Sequence, residues 1–80
     1  MIELYLYGDV KKLVSSSIPD VNTILIFDYV EGEDFKELLN RLGLKPKDVG
    51  ECYINNTLAD PKNLIHDGDT IELNQHKHST

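Results

Sequence analysis

Few side chains in this sequence have the type and spacing that chemistry needs, and each of them has a plain structural use. Cys52 falls between Glu51 and Tyr53 at the inward parity of a predicted strand, where a thiol packs as a small hydrophobe. No cation or helix start lies near it in the sequence to hold a thiolate. His66 beside Asp67 has no nucleophile to activate and reads as a solvated turn residue. His76 and His78 alternate in a polar tail, and two imidazoles without fixed supporting partners make a poor metal site. Asp67-Gly68-Asp69 lacks the further oxygen ligands and distal Glu of an EF-hand loop, so it reads as a turn. There is no glycine-rich phosphate loop, serine-nucleophile motif or HExxH pair. No catalytic residue, metal or cofactor is expected, and the chain reads as a non-enzyme.

The elements that carry these residues follow from hydrophobic period. Ile2, Leu4 and Leu6 alternate with Glu3, Tyr5 and Tyr7, as in a strand with one buried face. Asp9 is placed to cap a short turn carrying Val10, Leu13 and Val14. Residues 23–30 are rich in β-branched and aromatic types. Asp28 must face water, which puts Leu25, Phe27 and Tyr29 inside and Ile24 and Ile26 outside. Asp34 is an N-cap candidate before Phe35, Leu38, Leu39 and Leu42, which share one helical face; Gly43 supplies the left-handed C-cap. The acidic group Glu31, Glu33, Asp34 and Glu37 suits the positive helix start, and Glu37 is spaced to pair with Arg41. Val49, Cys52 and Ile54 predict a short strand ending at the turn Asn55-Asn56, and Ile71 and Leu73 mark the last strand.

Eighty residues hold one domain with a small core. The expected division is a domain over 1–74 and a flexible tail over 75–80, with Met1 the start of the mature chain. Fourteen acidic against 8 basic side chains give a net charge of −6, which disfavours nucleic acid and anionic lipid as partners. A lone cysteine and the lack of a long apolar run point to the cytoplasm and away from a membrane. The element order predicts an α+β fold: a mixed four- or five-stranded sheet with one main helix on one face. A helical crossover then brings the first and last strands into parallel pairing, as in a ubiquitin-like β-grasp.

One surface asks for a function. Strand parity places Tyr5, Tyr7, Ile24, Ile26 and Tyr53 on the sheet face opposite the helix, with Glu3, Asp28, Glu51 and Glu72 expected at its rim. Several apolar residues on one open face form a patch of the kind that binds proteins.

The stretches Leu4-Tyr5-Leu6-Tyr7, Phe35-Lys36-Glu37-Leu38-Leu39, Leu42-Gly43-Leu44, Asp48-Val49, Ile54-Asn55-Asn56 and Leu64-Ile65-His66-Asp67-Gly68-Asp69-Thr70-Ile71 resemble the MoaD/ThiS branch of ubiquitin-like proteins. Within it they are most similar to the ubiquitin-like domain found joined to PIN-like ribonuclease domains. The resemblance covers residues 2–73 and implies a β-grasp whose protein partner is an E1-like or cofactor-biosynthesis enzyme. Carriers of this branch end in Gly-Gly, the site of carboxylate activation and sulfur attachment. This sequence contains no Gly-Gly and finishes His76-Lys77-His78-Ser79-Thr80. The expectation is therefore a protein-binding module without the carrier tail. The alternatives are a sulfur carrier of molybdopterin, tungsten-cofactor or thiamin synthesis with an atypical terminus, and an RNA-processing-associated or TGS-like module.

Overall fold

The computed structural model describes residues 1–76. Five strands form one mixed sheet: β1 (Ile2–Leu6), β2 (Ile24–Phe27), β3 (Cys52–Ile54), β4 (Thr57–Leu58) and β5 (Thr70–Leu73). Their order across the sheet is β2-β1-β5-β3-β4, and only β1 and β5 run parallel. Two helices, α1 (Asp9–Ser15) and α2 (Phe35–Arg41), and a 3-10 turn (Pro46–Asp48) complete the fold. No helix among the described residues is long and apolar enough to cross a membrane.

The core lies on one side of the sheet. Ile2, Leu4 and Leu6 from β1 and Ile71 and Leu73 from β5 are buried against Phe35, Leu38, Leu39 and Leu42. Asp34 caps α2 as its type predicts: its carboxylate accepts from the Glu37 N–H at 2.8 Å, and the Glu37 side chain accepts from the Asp34 N–H at 3.2 Å. The first two helical N–H groups, of Phe35 and Lys36, donate to the carbonyls of Asn63 and Pro61. The connection between β4 and β5 thus caps α2.

Four local expectations change. Asp9 does not cap α1; Gly8, at φ 57°, precedes the helix without a side-chain bond, and Asp9 opens the first turn with its N–H on Gln75 Oε1 at 2.8 Å. The predicted turn is a helix of 7 residues whose Val10 and Val14 are fully buried, so residues 10–20 close the core and leave the opposite face uncovered. The second strand is shorter than 23–30, because the Asp28 carbonyl accepts from Arg41 at 2.7 Å as the chain turns toward α2. Val49 is buried but sits after the 3-10 turn, outside β3.

Of the expected tail 75–80, Gln75 and His76 pack on the domain. Gly50 donates to the Asn74 carbonyl at 2.7 Å, and a Cβ on Gly50 would fall 2.5 Å from the Gln75 oxygen. Only glycine lets the chain after β5 lie this close. Residues 77–80, and with them His78, lie outside the described residues.

Candidate functional site

The strand registers assemble the open face residue by residue. Tyr5 pairs with Ile24 on one side and with Glu72 on the other; Glu72 pairs with Tyr53, and Tyr53 with Leu58. Ile24, Tyr5, Glu72, Tyr53 and Leu58 therefore form one transverse row across all five strands. A second row runs Ile26, Glu3, Thr70. Ile24 and Ile26 are 55% and 52% exposed, values too high for any element to cover them.

The face differs from the expected apolar patch in one respect. Glu72 and Glu3 were expected at the rim, but the parallel β1/β5 register sets Glu72 between the two tyrosines and Glu3 beside Ile26. The face is thus aromatic and aliphatic with carboxylates inside it. Tyr7 lies past the end of β1, its N–H on the Leu73 carbonyl at 3.1 Å, and shares with Tyr53 a hollow of about 440 Å³ lined by Gly8, Glu51, Asn74 and Gln75. The five expected residues form two adjoining parts: a Tyr5, Ile24 and Ile26 strip, and a Tyr7 and Tyr53 hollow.

The Tyr53 hydroxyl donates to Glu51 Oε2 at 2.9 Å. That bond, and the negative charges of Glu51 and then Glu72, push the phenol above its ordinary range. Tyr53 presents a neutral ring edged by anions, which suits a cationic group on a binding surface.

The other singled-out residues have structural partners. Cys52 is buried with Sγ 3.5 Å from the Gly50 carbonyl oxygen, and desolvation pushes its thiol up. Its position is a core position. Glu33 is 6% exposed and held at two points by Arg41, Nε to Oε2 at 2.7 Å and Nη2 to Oε1 at 2.8 Å. Arg41 was expected to pair with Glu37, but Glu37 is engaged in the capping box, and the guanidinium instead spans Glu33 and the Phe27 ring, 4.5 Å from its centroid. Of the acidic group, Glu33, Asp34 and Glu37 are therefore already bonded. Asp69 is buried and accepts from the His66 N–H at 2.8 Å and Asn55 Nδ2 at 2.9 Å, which makes Asp67-Gly68-Asp69 an anchored turn. Among the described residues no three His, Cys, Asp or Glu side chains group as a metal site.

Sequence reasoning missed a second concavity. On the helix side, a groove of about 440 Å³ runs between α2 and the β3–β4 hairpin, lined by Phe35, Leu39, Val49, Cys52, Ala59 and His76 among others. Its sequence signal is the pair of small residues, Gly50 and Ala59, that flank the hairpin and line the groove. No family model, curated protein or solved structure matches the chain.

Proposed function

We propose that the protein is a MoaD/ThiS-like β-grasp domain that works as a non-enzymatic protein-binding module, engaging its partner through the open sheet face. The β-grasp reading draws support from the parallel β1/β5 pair at the centre of a mixed five-stranded sheet, with α2 crossing between β2 and β3. The single observation behind the binding reading is the transverse row Ile24, Tyr5, Glu72, Tyr53 and Leu58, exposed at its two ends and half-buried along its middle. Tyr5, Tyr7, Ile24, Ile26 and Tyr53 supply the apolar contact area. Glu3 and Glu72 within the face, and Glu51 beside it, select a partner surface that carries Lys or Arg among apolar groups. The partner class that the family likeness implies is an E1-like or cofactor-biosynthesis enzyme.

The test is mutational. Proteins captured on the immobilised chain are purified and rebound to wild type, Tyr5→Ala and Ile26→Asp. A contact at the centre of the face predicts a loss of about 2 kcal/mol, roughly thirtyfold, for Tyr5→Ala with the helical circular dichroism unchanged. Undiminished binding of every partner by both variants would sink the reading. Incubation with an adenylating enzyme and ATP separates it from sulfur carriage: an adenylate or thiocarboxylate mass on the native chain would replace the module by a carrier.

A further inference from the structure

The sheet has two edges, and β2 is the longer one. The Leu6 N–H donates to the Thr23 carbonyl at 2.7 Å, which makes Leu6 and Thr23 a hydrogen-bonded pair of the antiparallel β1/β2 ladder. Such pairs alternate with non-bonded ones, so Leu25 and Phe27 also bond to β1. The N–H and C=O groups of Ile24 and Ile26 therefore point off the sheet, and among the described residues nothing bonds to them. Residues 23–27 contain no Lys, Pro or bulge to blunt the edge, and among the described residues no strand pairs with its outer side.

Within β2 the off-edge positions are Ile24 and Ile26; Asn22 precedes a bend at Thr23, and Asp28 follows the strand with its carbonyl on Arg41. Setting Ile24 opposite Ile24, or Ile26 opposite Ile26, pairs only one of the two residues within the strand. Setting Ile24 opposite Ile26 alone matches apolar with apolar and uses the off-edge groups of both residues in each copy. That register closes four backbone hydrogen bonds between Ile24 and Ile26 of the two copies. It also lines up the exposed side chains of four isoleucines on the open face.

We propose that a second copy of this chain pairs antiparallel with β2, Ile24 opposite Ile26, to form a two-fold dimer with one continuous ten-stranded sheet. An isologous contact of this kind closes on itself and leaves only the two-residue β4 at each outer edge. The dimer doubles the open face into one surface, with the two Tyr5, Ile24 and Ile26 strips adjoining across the axis. It does not depend on the identity, or the existence, of another protein partner.

Sedimentation equilibrium of the full chain between about 10 µM and 1 mM tests the proposal, since a pair of four-residue edges makes a weak contact. The expected result is a mass that rises from one chain toward two. Ile24→Lys sets a cation against Ile26 of the other copy in both pairs and weakens the dimer about fivefold or more. Adding Ile26→Glu in the same chain sets opposite charges across both pairs in this register alone and restores affinity. Ile26→Pro removes an N–H that β1 does not use and abolishes the dimer, with circular dichroism reporting the fold. Tyr53→Ala, on the far side of the sheet, leaves the dimer unchanged while it weakens partner capture by the face, so the two readings fail separately. A single-chain mass at 1 mM would overturn the proposal. So would a dimer that Ile24→Lys and the double variant weaken alike.

Discussion

Arg41 holds Glu33 at two points across eight residues of sequence, and the same guanidinium bonds the Asp28 carbonyl and stacks on Phe27. One side chain thereby joins the end of β2, the loop before α2 and the helix itself. Arg41→Met keeps the stem but leaves the Glu33 carboxylate buried without its counter-charge. Exposed pairs contribute about 0–1 kcal/mol and broken buried ones cost about 3–5, so a half-covered pair predicts a loss of about 2 kcal/mol. Urea unfolding measures it. Arg41→Met together with Glu33→Leu should recover part of the loss.

Asp69 joins two turns by accepting from the His66 N–H and from Asn55 Nδ2, while Asn55 Oδ1 accepts from the Thr70 N–H at 2.9 Å. Asp69→Ala strands two donors next to the core, and the expected destabilisation is about 1–3 kcal/mol. Hydrogen exchange at His66 and Thr70 should rise more than exchange in α2. Uniform acceleration would show that the turn is not an independent anchor.

Cys52 should resist a thiol reagent at pH 8 and react at once in denaturant, because burial both shields the sulfur and raises its pKa. The sign for stability follows from the same shift. The unfolded chain ionises its thiol first, so this contribution to stability is complete below the unfolded pKa of about 8.5 and declines as pH rises above it. Cys52→Ala should flatten that alkaline decline. Rapid labelling of the native chain would contradict the core position.

Tyr53 should titrate above the ordinary tyrosine value in ultraviolet absorbance, since Glu51 and then Glu72 oppose its ionisation. Glu51→Gln should lower that titration toward 10.0, the ordinary value for the group. Tyr53→Phe removes the shifted transition and assigns it.

On the open face, Glu72→Lys should weaken a partner that presents Lys or Arg, chiefly by slowing association, and Glu72→Gln should have the smaller effect. Stopped-flow or surface-based association rates at two salt concentrations check this. A rate that rises on Glu72→Lys would mean the partner is acidic.

Short-range pattern carried much of this protein. The alternation Ile2, Leu4, Leu6 and the i, i+3, i+4, i+7 spacing of Phe35, Leu38, Leu39 and Leu42 mark their buried faces. Asp34 and Glu37 are three apart, as a capping box requires, and Asn55 and Asn56 take the positive φ values of 50° and 68° that their type tolerates. These depend on neighbours within about one turn, so period and residue type suffice to read them. The outward parity of Tyr5, Ile24, Ile26 and Tyr53 was legible for the same reason. Only the tertiary structure decided that Glu72 stands between Tyr5 and Tyr53, that Arg41 takes Glu33 rather than Glu37, and that the groove beside Cys52 exists. Each depends on a register or contact between segments distant in sequence. Such pairings follow from how the whole core closes, which no local period encodes.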